Sequence, residues 1–263
     1  MARLVIPGGN GFIGSELCRV AVQNGHDVAA FGRTGRPDLA PARHPWTNEV
    51  EWRAADIFTP DAWRDLLDGA DAVIHSLATI REDPANNVTF NRVNGESVLQ
   101  AAQTTADADV DGFVLLSVRD KPPFVPQGFL DAKRWAEREI KEQFPSLRRV
   151  VLQPNLVFGP GRPGSATIAA ALKQLPRGTA GGYPTQEGRP LPVEVVAAAA
   201  VHAAVTPTLI GTLSVDQIED LGLTSGLIRP DDASSPAYAK LWGALGGTLL
   251  GGWLLKRWWT DAS

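Results

Sequence analysis

A glycine-rich run set directly behind the first apolar stretch limits the fold more than any other feature of this chain. Leu4-Val5-Ile6 leads into Gly8-Gly9-Asn10-Gly11-Phe12-Ile13-Gly14, and apolar side chains then recur three and four apart from Phe12 to Asn24. A buried strand, a glycine turn and an amphipathic helix in that order make the phosphate-binding start of a βαβ unit. Gly8 lets the chain turn, and Gly11 lets the backbone approach a pyrophosphate with no Cβ in the way. Gly14 lets the helix lie close on the sheet. Asn10 and the backbone amides at Phe12 and Ile13 then border an anion at the positive end of a helix.

The strand-length apolar runs continue at Asp27 to Phe31, Glu51 to Ala54, Ala72 to His75, Phe113 to Leu116 and Arg149 to Leu152. Helical patterns fall between them at Asp61 to Leu67, Asn91 to Thr105 and Leu130 to Glu142. This alternation predicts an α/β fold, a doubly wound parallel sheet. We expect residues 1-158 to form the nucleotide-binding domain, 159-230 a small lid packed on the sheet edge and completing the fold, and 231-263 a linker and tail. Within the second part, Pro192 to Ala204 reads as an alanine-rich helix, Gly211 to Val215 as a short strand and Thr224 to Pro236 as a linker.

The residues behind the second apolar run bear on the choice of nucleotide. An NAD site places Asp or Glu there for the adenosine ribose, whereas this chain has Gly32-Arg33-Thr34-Gly35-Arg36 and no acid before Asp38. A guanidinium suits a 2′-phosphate and can stack on adenine, so Arg33 favours NADP(H) over NAD(H); Arg33 also reads as an ordinary solvated loop arginine. Twenty-five basic against 29 acidic residues leave a charge of −4, which excludes a surface built to track nucleic acid. One cysteine, Cys18, and four scattered histidines supply no metal-ligand pattern, so no metal is expected. Met1-Ala2-Arg3 runs straight into the first strand and leaves no space there for a secretory signal. A cytoplasmic or mitochondrial-matrix-like location is the expectation, not secretion.

With these elements in place the sequence resembles the extended short-chain dehydrogenase/reductases, in their NAD-dependent epimerase/dehydratase (Rossmann-fold) branch. The resemblance covers residues 3 to 215 and rests on Gly8, Gly11 and Gly14, Asp56-Ile57, His75-Ser76-Leu77-Ala78, Ser117, Lys133 and Gln153-Pro154-Asn155-Leu156-Val157-Phe158. Within that branch, Val50-Glu51-Trp52 with Asp56-Ile57-Phe58, Val73-Ile74-His75-Ser76-Leu77 and Val125-Pro126-Gln127-Gly128-Phe129 leading to Lys133 and Glu137 are similar to an atypical group. Its members include a mitochondrial coenzyme Q biosynthesis protein and the nucleotide-binding accessory subunit of respiratory NADH dehydrogenase. The resemblance implies that Asp56 accepts from the adenine amino group and Ile57 lies against the ring. It places Leu77, Ala78 and Pro154 along the cofactor and Lys133 at the nicotinamide ribose. By residue chemistry alone, Asp56 is as readily a helix N-cap, since Thr59-Pro60-Asp61 follows it, and Lys133 reads equally as a surface helix lysine.

Active members of that family carry a tyrosine four residues before the lysine, where the phenol moves the proton that accompanies hydride transfer. This chain has Phe129 there, and neither of its two tyrosines, Tyr183 and Tyr238, has a lysine four residues on. The usual hydroxyl partner is replaced by Val118, with Ser117 one residue earlier. The expectation is an NADP(H)-binding protein without standard turnover, acting structurally or in regulation beside quinone biosynthesis or respiratory-chain assembly. The alternative is an active reductase, epimerase or dehydratase on an isoprenoid, quinone or nucleotide sugar, using Ser117, Asp131 or a water as acid.

The tail poses a separate question. Leu241 to Leu255 carries no charge, aligns Gly243, Gly247 and Gly251, and is flanked by Lys256-Arg257 and Trp258-Trp259. As a helix it would reach roughly 22 Å, short of the roughly 30 Å hydrocarbon core of a bilayer. It reads either as a helix covering its own domain or as an attachment to a membrane surface or membrane protein through residues 241-259.

Overall fold

The computed structural model describes residues 1–121, 125–162 and 189–228. The strands are β1 (Arg3–Pro7), β2 (Asp27–Gly32), β3 (Val50–Ala54), β4 (Ala72–His75), β5 (Gly112–Leu116), β6 (Arg148–Leu152), β7 (Val157–Phe158), β8 (Leu191–Pro192) and β9 (Gly211–Leu213). Among the described residues seven of them form one sheet in the order β3-β2-β1-β4-β5-β6-β9, parallel at every pairing, and β7 pairs separately with β8. The order runs one way from β1 through β2 to β3 and the other way from β4 onward. A crevice therefore opens outside the carboxyl ends of β1 and β4, the position at which such sheets bind ligands.

Helices α1 (Phe12–Gln23), α2 (Ser97–Asp107), α3 (Gln127–Gln143), α4 (Val193–Val205) and α5 (Val215–Thr224) complete the layers. The strands read as continuous apolar runs because both faces are covered. Leu4, Ile6, Val28, Ala30, Ile74, Leu116 and Leu152 pack in one cluster with α1 and α4. Their neighbours Val5, Ala29, Phe31, Val73, Phe113, Leu115 and Val151 pack on the other face with α2 and α3. The two-residue period of a strand thus sends alternate side chains into two cores.

Three local expectations change. The segment Asp61 to Leu67 is not an α-helix but two short 3₁₀ turns, Pro60–Ala62 and Arg64–Leu67, separated by Trp63 at φ −146°. Trp63 is fully buried and stacks on Phe31 with ring centroids 4.7 Å apart, so tertiary packing of one large ring breaks the helical run. The helix from Asn91 begins as a π-helix, Asn91–Glu96, before continuing as α2. Residues behind Phe158 do more than cover the sheet edge, since β9 becomes its seventh strand and α4 lies on its face. Eleven of the thirteen residues of α4 are buried, the signature of a helix apolar all round. The Arg148 guanidinium donates to the carbonyls of Ala203 (2.9 Å) and Ala204 (2.6 Å) and ties β6 to the end of that helix.

Helix α5 occupies residues left unassigned between the expected strand and linker. Ser214 and Gln217 form a reciprocal capping box at its start, a signal legible in the sequence. Tyr183, most of the expected lid and the tail from Leu241 to Trp259 lie outside the described residues. Among the described residues no helix is long and apolar enough to cross a membrane, and no cluster of three His, Cys, Asp or Glu side chains could hold a metal.

Candidate nucleotide-binding site

The glycine loop joins β1 to α1 at the crevice. Gly8 has φ +81°, a left-handed conformation, and a Cβ there would lie 3.0 Å from the Leu77 amide nitrogen. At Gly14 a Cβ would lie 2.0 Å from the Gly8 carbonyl oxygen, so the first turn of α1 rests on the loop itself rather than only on the sheet. A Cβ at Gly11 would meet nothing nearer than that same oxygen, at 3.2 Å. Gly11 is also the N-cap of α1 and makes no side-chain capping bond, which leaves the helix entrance lined by backbone. Gly9 has a role that spacing did not reveal: its Cβ would lie 2.5 Å from Ala30 Cβ, so it lets the loop cross β2.

Beside this loop a cavity of about 370 Å³ opens outside β1 to β4, with Asn10, Arg33, Asp56, Ile57, Leu77 and Ala78 in its lining. Asn10 donates to the Thr34 hydroxyl at 2.7 Å, which holds the glycine loop to the turn behind β2. Arg33 is exposed on that turn, whereas Arg36 is bound to Thr47 and Asn48 and does not line the cavity. Asp56 accepts from the Phe58 amide at 3.0 Å, closing a turn of its own. The N-cap of the following 3₁₀ turn is Thr59, so Asp56 is not the helix cap that its sequence context allowed.

Behind the cavity wall, His75 is completely buried. The Ser97 hydroxyl spends its hydrogen on the Val93 carbonyl at 2.6 Å. Consequently His75 Nε2, 3.2 Å from that hydroxyl, carries the proton and donates, and Nδ1 is left as a lone pair with no partner. Burial, reinforced by the charge of Lys133, pushes the imidazole pKa down to about 3. His75 is therefore neutral throughout the physiological range.

The ends of β5 and β6 facing α3 are built differently. Val118, Val125, Phe129 and Ala132 form a buried apolar cluster with Phe90, and the Phe90 and Phe129 rings meet edge to face at 6.0 Å. Lys133 is buried, and its Nζ donates to the Leu116 carbonyl at 3.0 Å while lying 5.8 Å from the centre of the Phe129 ring. Burial lowers its pKa to about 8, against the pull of Glu137 and with a small contribution from Arg134. Glu137, one turn along α3, accepts from the Ser117 hydroxyl, from Gln153 at 2.9 Å and from Arg134 at 2.7 Å. Asp131 is exposed and accepts from Gln127 at 3.0 Å. Ser117 serves the Glu137 network, and Asp131 bonds along an exposed helix face. Pro154 is buried, and its carbonyl accepts from the Arg119 amide at 3.0 Å, in the same strand-end network.

Residues 4–119 match the NAD dependent epimerase/dehydratase family. An uncharacterized chloroplastic protein of Arabidopsis thaliana is 36% identical over 160 residues, which are 60% of this chain and 51% of the plant protein. The MIOREX complex component 2 of Saccharomyces cerevisiae is 26% identical over 201 residues, covering 59% of this chain and 73% of the yeast protein. The chain thus spans about half the length of the plant relative. Among solved structures, a UDP-glucuronic acid 4-epimerase from Bacillus cereus in complex with NAD superposes with a TM-score of 0.59 at 15% identity, over 82% of this chain and 79% of that one. That likeness shows the fold.

The sequence-named residues fall into two groups. Gly8, Asn10, Gly11, Phe12, Ile13, Gly14, Arg33, Asp56, Ile57, Leu77 and Ala78 sit at the loop and its cavity. Lys133, Ser117, Val118, Phe129 and Pro154 sit at the β5 and β6 end, and none of these five lines the cavity. Sequence reasoning missed Phe58, Arg92 and Ser97 in the lining. Phe58 closes the Asp56-Ile57-Phe58 run that carries the resemblance, which implies no contact for it. Arg92 carries no sequence signal and lies in the π-helix before α2.

Proposed function

We propose that this protein binds NADP(H) in preference to NAD(H) and holds it without standard short-chain dehydrogenase turnover, in an accessory role beside quinone biosynthesis or respiratory-chain assembly. The observation that carries the reading is the filled apolar cluster at Val118 and Phe129. By family resemblance these positions hold the hydroxyl and phenol of the proton relay, and here they are packed with Phe90 and Val125. Loss of the acid alone could be offset by a neighbouring group, but Ser117 and Asp131 already have partners elsewhere.

The loop and cavity fit a dinucleotide. A Cβ at Gly14 would collide with the loop and one at Gly8 would press on Ser76 and Leu77, whereas one at Gly11 would meet only the Gly8 carbonyl oxygen. The pyrophosphate would be held by the backbone from Asn10 to Ile13, and the adenosine half by Asp56, Ile57, Leu77 and Ala78. Arg33 would pair with the 2′-phosphate by charge-assisted hydrogen bonds. Such a nucleotide supplies a hydride when bound to an active family member. Among the described residues, His75 is neutral, Lys133 turns inward to the Leu116 carbonyl and Phe129 has no hydroxyl, which supports binding without the usual proton relay. A ligand that binds only the folded state still stabilises it, by roughly 3 kcal/mol at a hundredfold excess over Kd. Nucleotide supply would then set the stability of the protein and of what it binds. The yeast relative's name, a complex component, supports an assembly role.

The test is titration of the purified protein with NADPH and NADH, followed by a NADPH-oxidation assay on a panel of quinones, enones and nucleotide sugars. Tighter binding of NADPH with no turnover is expected, and Arg33→Ala should cost NADPH more affinity than NADH. The double variant Phe129→Tyr with Val118→Ser restores both hydroxyls and should turn over faster than wild type, positioned acid–base groups being worth roughly a hundredfold or more. Equal titration curves for both nucleotides, or ordinary enzyme rates in the wild type, would overturn the reading.

A further inference from the structure

Resting on that nucleotide reading, we propose that Arg92 is a second specificity-determining residue for the nucleotide, contacting the extra phosphate of a 2′-phosphorylated adenosine together with Arg33. Four observations lead there. Arg92 lines the same cavity as Arg33 and Asp56, so two guanidiniums and one carboxylate border one space. Its Cζ lies 3.8 Å from the centre of the Phe58 ring, and Phe58 is fixed in turn by the bond from its amide to Asp56. Phe58 follows β3 while Arg92 precedes α2, so the stack joins segments on opposite sides of the β1 and β2 ends and borders the cavity from across it. Finally, Arg92 sits in a π-helix, a rare conformation that recurs at functional sites, and its amide is held by the Thr89 hydroxyl at 3.2 Å.

The physical argument is about which part of the guanidinium is used up. Stacking on an aromatic ring occupies a face of the planar group and fixes its plane, but leaves the in-plane N–H donors for hydrogen bonding. The ion pair of that edge to Glu96 is 3.7 Å long and joins side chains that are 32% and 52% exposed, a solvent-screened contact that an incoming dianion can outcompete. A stacked arginine pre-organised in this way presents a fork to phosphate, whereas a plain purine platform would need no charge. Arg33 alone, exposed on a loop, lacks such a support.

The experiment uses the full chain, with NADPH and NADH as probes and titration calorimetry at two salt concentrations. Arg92→Met keeps an apolar stem over Phe58 and removes the charge. It should weaken NADPH by about 30-fold, the worth of a charge-assisted hydrogen bond, and NADH by less than about threefold. The salt dependence of NADPH affinity should fall as well. Phe58→Leu keeps the charge but removes the platform, and should weaken NADPH by a smaller factor, with an unchanged salt slope. Equal weakening of both nucleotides by Arg92→Met would overturn the proposal and make Arg92 a base platform. Wild-type protein that binds neither nucleotide would overturn the cofactor reading itself.

Discussion

The two halves of the crevice are built by the same sheet to opposite ends. Outside β1 to β4 the loops leave a cavity bordered by Arg33, Asp56 and Arg92, with glycines wherever a Cβ would intrude. Outside β5 and β6 the comparable space holds Phe90, Val118, Val125 and Phe129, and the polar groups beside them are consumed by one another around Glu137. The difference teaches that one sheet can carry an open end and a packed end side by side, because different strands and their loops build them.

The contrast is broken most severely at the glycine loop. Gly11→Val should reduce nucleotide affinity by about a hundredfold or more, because the branched side chain occupies the approach to the pyrophosphate. The fold should persist, since a Cβ at Gly11 meets only the Gly8 carbonyl. Unchanged affinity by calorimetry, with a normal circular dichroism spectrum, would place the nucleotide elsewhere.

A smaller effect is expected from the packed half. Glu137→Leu leaves Ser117, Gln153 and Arg134 without their shared acceptor, and should lower unfolding stability by about 2–3 kcal/mol, read from urea denaturation, with nucleotide affinity nearly unchanged. A matching loss of affinity would show that the two halves are coupled rather than separate.

The smallest effect is set by protons. His75 in the folded chain has its pKa held near 3, well below its ordinary value of 6.5, so below about pH 6.5 the unfolded state binds a proton that the folded state refuses. Stability should fall as pH drops from about 6.5 to about 5, a range where carboxylates titrate little, by up to about 2 kcal/mol. His26, also lowered by partial burial, adds to the same slope. His75→Asn should flatten the slope, and an identical slope in that variant would assign it to other groups. Lys133 acts at the other end: with its folded pKa near 8, stability should rise from there toward about pH 10.5, where the unfolded chain also gives up its proton.

How far the sequence reached can be judged residue by residue. Ala72–His75 was legible to its last residue because a buried parallel strand is an uninterrupted apolar run between polar turns. The glycine loop was legible because its requirements are local: a positive φ at Gly8 and a close approach at Gly14. Asp61 to Leu67 was misread because the helical period there is overruled by Trp63, whose place against Phe31 lies in another strand.

The sequence alone determined the parallel sheet and the glycine turn behind its first strand, both of which depend on residues close together in the chain. Only the tertiary structure decided that Ser117 belongs to Glu137, that Lys133 turns inward to Leu116 and that Arg92 lies on Phe58. Those pairings join residues 17 to 34 positions apart, and the direction of a long side chain is set by the partners that desolvation forces upon it rather than by its neighbours in sequence.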